Sequence, residues 1–360
     1  MRQILFVDHL SYLQRSFKKK IKNFFLAFIP KSVVLKLMEK NYTDLGLEIS
    51  NACNASCSFC AYRFQKRSKY IMNFDMYKKA IDSYSKDGGG TVSFTPVVGD
   101  PLVDKSLIEK IKYAISKKNI HSLFMYTNGI YLDRYDLKEF VESGITRLAI
   151  STYFGTRELY KKYYGVDQYN RVIKNIVNLA KKNDEFGNPI HITVHLRVEQ
   201  PKEKWSKNKD FTRIGKLIGF KNMSYISVYE NWSGLINEKD LPKGSSLGDT
   251  TPNEKKIKEP CWELYRKVYI MSDGKVGVCA CRDIEGEITI GDIKSDTITD
   301  IWRGEKIKKF RKNWTQGVLP NVCVKCDTYK PISDYIKENK FEIIKTQLFD
   351  RMHKVKDKIF

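Results

Sequence analysis

The chain has 360 residues, 42% of them hydrophobic and 12% aromatic, which is enough to bury one large core with a small satellite and excludes wholesale disorder. Lysine and arginine (64) outnumber aspartate and glutamate (42), and the net charge of +22 would draw anionic ligands, nucleic acid or an anionic membrane surface. The lysines are spread along the whole chain, as a Lys-rich composition alone would leave them, and no basic face or nucleic-acid-binding module is visible, so nucleic acid is not expected as a partner.

At the N-terminal side, no apolar run reaches the roughly 20 residues that span a bilayer. The best candidate, 24–29, is ended by Pro30, follows Lys18-Lys19-Lys20 and has no small-residue cleavage site behind it. Residues 1–44 therefore read as a basic, partly amphipathic extension that packs on the domain, with peripheral contact to a membrane surface as its second reading. The expected location is cytoplasmic. In that setting the eight cysteines point to metal or redox chemistry in place of a disulfide framework.

From residue 45 onward strands and helices alternate. A strand at 45–49 is followed by a helix at 76–85, Gly88-Gly89-Gly90, and a strand at 91–95. Helix 105–118 leads to strand 122–126, helix 132–143 to strand 147–151, helix 169–183 to strand 190–198, and helix 211–218 to strand 224–229. Six such units predict a parallel α/β sheet, either doubly wound or closed into a partial (β/α)6 TIM-like barrel, in which functional residues gather at the C-terminal strand ends. Polar loops dominate 202–210 and 238–258, and 231–260 reads as a linker or substrate loop. Beyond it, 266–271 and 275–278 alternate like strands around Asp273-Gly274, a strong hairpin turn. The expected organisation is an extension (1–44), a barrel (45–230), the linker, a small hairpin-and-helix domain (261–330) and a C-terminal helix (331–360).

The cysteines form two groups. Cys53, Cys57 and Cys60 follow the first strand; Cys261, Cys279, Cys281, Cys323 and Cys326 lie in the small domain. Three thiolates with no nearby histidine leave a structural zinc site incomplete, whereas a cubane iron–sulfur cluster on three thiolates leaves one iron open for a cofactor.

The C-x3-C-x2-C spacing, with Phe59 before the last cysteine, resembles the radical S-adenosylmethionine (SAM) superfamily. The resemblance implies a [4Fe-4S] cluster on Cys53, Cys57 and Cys60 whose open iron chelates SAM, one-electron cleavage of SAM to a 5′-deoxyadenosyl radical, and hydrogen abstraction from a substrate. An external electron donor such as flavodoxin or ferredoxin is implied with it. Val98-Gly99-Asp100-Pro101 stands where the family has Gly-Gly-Glu-Pro, departing at Val98 and Asp100; Gly99, Asp100 and Pro101 would receive the SAM ammonium. Thr127-Asn128-Gly129 resembles the family's turn beside the cofactor, Ser151 a polar SAM contact, and Arg197 a cation for the SAM carboxylate.

Cys261-x12-Gly274-x4-Cys279 followed by Cys323-x2-Cys326 resembles the SPASM or twitch auxiliary-cluster domain. With no cysteine after Cys326 the count supports one auxiliary [4Fe-4S] cluster on Cys261, Cys279, Cys323 and Cys326; a zinc ribbon is the alternative for these four. Cys281 is left over, as a structural thiol, a spare ligand or a hydrogen-atom donor, and Asp283 is a candidate base. The expected function is oxidation of a small hydroxylated substrate, such as a sugar, an aminocyclitol or a nucleotide sugar, with the lysines suited to a phosphorylated form. An epimerase using Cys281 and a peptide-modifying maturase are the alternatives, the latter disfavoured because only 44 residues precede the first strand.

Overall fold

The computed structural model describes residues 28–199, 201, 203, 205–248, 258–280 and 282–346. Six parallel strands, β1 (Asp44–Leu47), β2 (Gly90–Ser93), β3 (Ile120–Thr127), β4 (Arg147–Thr152), β5 (His191–Leu196) and β6 (Met223–Tyr225), lie side by side in sequence order. This is the partial barrel that the sequence predicts. Each helix between them presents an apolar stripe to the sheet: Phe74–Lys86 buries Tyr77, Ala80, Ile81 and Tyr84, and Tyr169–Glu185 buries Val172, Ile173, Ile176, Val177 and Ala180. Parallel strands covered by helices become nearly continuous apolar runs, and β4, Arg147–Thr152, is buried along most of its length.

The last predicted barrel strand divides. Residues 223–225 pair with β5, whereas β7 (Val228–Tyr229) pairs with β8 (Ser246–Leu247) in a separate ribbon formed by the linker. The helix Arg157–Tyr164 is an addition to the sequence reading, and Gly165 ends it in the left-handed conformation (φ +70°).

The C-terminal hairpin forms as expected from β9 (Lys267–Ile270) and β10 (Lys275–Gly277), with Gly274 at φ +96° in the turn and a third strand, β11 (Thr289–Asp292), beside β10. Its placement is the main structural finding. β9 runs parallel to β1, with Leu45 opposite Val268 and Gly46 opposite Tyr269, so hairpin and barrel form one nine-stranded sheet. The seam is close: a Cβ on Gly46 would stand 2.8 Å from the Tyr269 ring. One apolar core runs through both parts.

The helix Lys31–Lys40 buries Val34 and Met38, and the Trp302 indole donates to the Met38 carbonyl (3.3 Å). The basic and apolar runs at 18–20 and 24–27, on which a membrane contact would depend, lie outside the described residues. Among the described residues no helix is long and apolar enough to cross a membrane.

Candidate active site

The segment after β1 is built to hold a loop open over the strand ends. Glu48 is fully buried and takes a two-pronged ion pair from Arg67 (3.0 and 2.8 Å) as well as the Ser272 hydroxyl (2.8 Å), which ties the end of β1 to the end of the cysteine loop and to the turn of the hairpin. Asn51 closes the loop's base, accepting from the Tyr70 amide (2.7 Å) and donating to the Ser68 carbonyl (2.8 Å). On the far side the Ser56 and Ser58 amides donate to the Tyr164 and Tyr163 carbonyls at the end of the helix Arg157–Tyr164 (3.0 and 2.8 Å). The Cys60 amide turns back to the Cys57 carbonyl (3.1 Å), and the Cys53 amide donates to the Tyr62 hydroxyl (3.0 Å). The loop is anchored at both ends before any metal enters.

At the end of β2, Gly99 has φ +124° and lies so near the Ser50 carbonyl that a Cβ would approach it to 2.4 Å. This close approach lets the Asp100 amide reach the Ala52 carbonyl (2.9 Å). The Asp100 carboxylate, 2% exposed, accepts from the Leu102 amide (2.9 Å), the Thr127 hydroxyl (2.9 Å) and the Asn128 amide (2.7 Å). Burial outweighs these bonds and raises its pKa from 3.8 to about 6. Asp100 thus clasps the two turns together. Pro101 opens the short turn behind it and is buried. The Asn128 side-chain amide donates to the Asn54 side chain (2.6 Å) and lies 3.7 Å from the Cys53 sulfur.

These turns enclose a cavity of about 420 Å³ that brings together Cys53, Cys57, Cys60, Phe59, Gly99, Asp100, Thr127, Asn128, Ser151 and Arg197. All ten come from five separate strand ends or their loops, as the parallel architecture demands. The half-buried Arg197 guanidinium lies over the rings of Phe59 (5.6 Å) and Tyr229 (5.1 Å), and among the described residues its Nε meets no hydrogen-bond partner. Ser151 lies 3.4 Å from the Tyr164 hydroxyl. Burial pushes the Cys53, Cys57 and Cys60 thiols up; at Cys60 the Tyr62 amide and the cations Arg197, Arg63 and Arg282 pull the other way.

Cys261, Cys279, Cys323 and Cys326 line a second cavity of about 180 Å³, walled by Trp262, Trp314 and Tyr329. Burial again raises the Cys261 and Cys323 thiols. No described cysteine forms a disulfide. Among the described residues no three His, Cys, Asp or Glu side chains converge closely enough for one metal ion. Thiols that rim a cavity in threes and fours fit a multinuclear cluster better than a single zinc, whose ligands must approach to about 2.3 Å. For the cofactor, the partnerless Arg197 Nε beside Cys57 suits an anionic group such as the SAM carboxylate.

Two expected residues stand apart. Asp283 is 1% exposed, does not line the first cavity, and spends its carboxylate on the Glu287 and Ile288 amides (both 2.8 Å), so it shapes a turn and is not placed as a base. Cys281 lies outside the described residues. Sequence reasoning missed Tyr126, Tyr229, Glu230, Trp232 and Arg282, which all line the first cavity. Tyr126 and Tyr229 are ordinary strand residues in sequence, Trp232 falls in the stretch read as a linker, and Arg282 is masked by the cysteines around it.

A partial parallel barrel, three thiols at the mouth of its first strand and four more in a hairpin joined to the same sheet define an iron–sulfur class of protein. Residues 47–200 match the family model described as the radical SAM superfamily, and residues 261–327 match an iron–sulfur cluster-binding domain of the SPASM type. The chain belongs to the radical SAM superfamily and carries a SPASM domain behind the barrel. It is 28% identical over 134 residues to a probable GTP 3′,8-cyclase of Saccharolobus solfataricus, a match covering 37% of this chain and 42% of that relative. It is 22% identical over 294 residues to the SAM-dependent 2-deoxy-scyllo-inosamine dehydrogenase of Niallia circulans, covering 81% of this chain and 94% of that relative. Among solved structures, BtrN in complex with AdoMet and 2-DOIA shares the fold at TM-score 0.52 and 18% identity, covering 80% of this chain and 94% of that one. Streptococcus suis SuiB bound to its precursor peptide SuiA shares it at TM-score 0.56 and 13% identity, covering 83% and 74%.

Proposed function

We propose that this protein is a radical SAM oxidoreductase acting on a small hydroxylated molecule, such as a sugar, an aminocyclitol or a nucleotide sugar, with its auxiliary centre as the electron acceptor. The observation that carries this reading is the shared wall: Glu230 and Arg282 line both thiol cavities, so the two centres adjoin across it. Support comes from the 2-deoxy-scyllo-inosamine dehydrogenase, which the chain resembles over most of both lengths.

Cys53, Cys57 and Cys60 would hold the first cluster with SAM, and Cys261, Cys279, Cys323 and Cys326 the second. When bound, the first cluster and SAM supply hydrogen-atom abstraction, and the second supplies a one-electron sink. The protein's own part is placement. Arg197 would pair with the SAM carboxylate, the Gly99 turn would offer backbone contacts to the SAM ammonium, and Asn128 would offer an amide beside the cofactor. Asp100 contributes by holding the turns at 98–101 and 127–129 in register. Tyr126, Tyr229 and Trp232 give the cavity flat apolar walls, suited to the faces of a ring and to exclusion of water. A cavity of about 420 Å³ that must also admit SAM suits a small molecule. An external reductant such as flavodoxin or ferredoxin would supply the first electron.

The test is anaerobic incubation of the reduced, reconstituted protein with SAM and separate pools of aminocyclitols, sugar nucleotides, nucleotides and peptides in deuterium oxide. 5′-Deoxyadenosine should rise with the aminocyclitol or sugar pool, alongside a product lighter by two hydrogens and free of deuterium. A rise with peptides, or deuterium in a product of unchanged oxidation level, would overturn the oxidoreductase reading. No 5′-deoxyadenosine above a Cys57→Ala control would overturn radical chemistry altogether.

A further inference from the structure

Arg282 is the one described arginine that lines both thiol cavities. Its side chain is 4% exposed, and it stands three residues after Cys279, whose sulfur accepts from the Arg282 amide at 3.4 Å. Its guanidinium meets two carboxylates from different parts of the chain: Glu230 at 2.5 Å and Asp327, the residue after Cys326, at 3.6 Å.

The guanidinium is also held by an aromatic plate. It lies 4.9 Å from the ring of Trp232, and Trp232 itself sits in the left-handed backbone region (φ +50°), followed by Ser233 at φ +58°. A bulky residue adopts that conformation only where its surroundings impose it. Here the surroundings are visible: the Asn231 amide donates to the Asp327 carboxylate, and the Asn231 side chain donates to the Lys325 carbonyl (3.2 Å) and accepts from the Gly234 amide (3.3 Å). A strained turn of the linker is thereby tied to the loop between two ligands of the second centre, with the Arg282 cation clamped between them.

We propose that Arg282 is a positioning cation shared by the two thiol centres, which raises the reduction potentials of both clusters from the wall between them, while Glu230 moderates its charge. The proposal rests on the two-cluster reading given above. Each electron taken up makes a cluster more negative by one charge, and a buried cation nearby favours that reduced form. The amide directed at the Cys279 sulfur adds to the effect at the second centre, since hydrogen bonds to ligating sulfur favour the reduced cluster.

The experiment is an EPR-monitored redox titration of the full chain, anaerobically reconstituted, without SAM or substrate, beside iron and sulfide counts. Wild type should hold about eight irons. Arg282→Gln should keep that count and shift both midpoints to more negative potential, the second centre further than the first, and Arg282→Lys should restore most of the shift. Glu230→Gln, which removes the moderating carboxylate, should shift both midpoints the opposite way. Unchanged midpoints at full iron loading would overturn the role of Arg282. Were Arg282→Gln unable to hold iron, a null or negative shift in Glu230→Gln would overturn it equally. A wild-type count near four irons would instead overturn the two-cluster reading on which the proposal stands.

Discussion

Arg197 and Asp100 have opposite electrostatic situations within one cavity, and each yields a measurement. Among the described residues the Arg197 Nε has no hydrogen-bond partner, so its replacement should cost binding of an anionic ligand far more than stability. Arg197→Gln should weaken SAM binding to the reconstituted protein roughly 10-fold or more, the worth of one charge-assisted bond, in equilibrium dialysis with labelled SAM. An unchanged affinity would place the SAM carboxylate elsewhere. Asp100 is saturated with donors and still raised to about 6 from 3.8. Folding therefore favours its protonated form: its contribution to stability is full below the unfolded value and is lost as pH rises through about 6, on the order of 3 kcal/mol between the limits. The melting temperature of the iron-free wild type, compared with Asp100→Asn, should fall relative to the variant between about pH 4 and pH 7. A constant difference across that range would show that the carboxylate does not titrate as its burial implies.

The elements divide by how their signals arise. The seven described cysteines were legible because thiol spacing is a covalent pattern, and the Asp273-Gly274 hairpin because its turn demands a glycine at positive φ. The barrel strands were legible because each apolar run is bounded by glycine or polar residues. The helix Arg157–Tyr164 was not, since its sequence RELYKKYY places tyrosine where aliphatic residues usually mark a buried face, and Tyr160, Tyr163 and Tyr164 nonetheless form that face. Residues 224–229 read as one strand but serve two sheets, a partition imposed by the return of the linker and invisible to local periodicity. Asp283 misled for a related reason, because its backbone partners lie four and five residues ahead and convert an apparent base into a turn closure. At this scale Gly99 is the sensitive position. Gly99→Ala should cost about 2 kcal/mol or more through strain at positive φ and contact with Ser50, and should lower iron retention at the first centre more than at the second. Equal retention at both would mean that the turn does not brace the cysteine loop.

Across the whole molecule, the hairpin and barrel are continuous in sheet and core. Removal of residues 261–346 would bare the β1 edge and the barrel's apolar surface that packs against Val268 and Ile270, so the truncated barrel should be insoluble or unfolded. Cys261→Ala, in contrast, should leave the sheet intact and lower the iron count from about eight to about four. A soluble, cooperatively melting fragment would show that the barrel closes without its neighbour.

The pairing of β1 with β9 also bears on how the chain is made. The contact between Thr43 and Arg266 spans 223 residues, so β1 leaves the ribosome long before the strand that covers it. Through that interval the nascent chain carries an open strand edge directly beside Cys53, Cys57 and Cys60, exposed both to mispairing and to oxidants. Synthesis of the C-terminal hairpin is therefore the event that seals the metal-binding loop, and iron delivery during expression would be productive chiefly after the ribosome has passed residue 270.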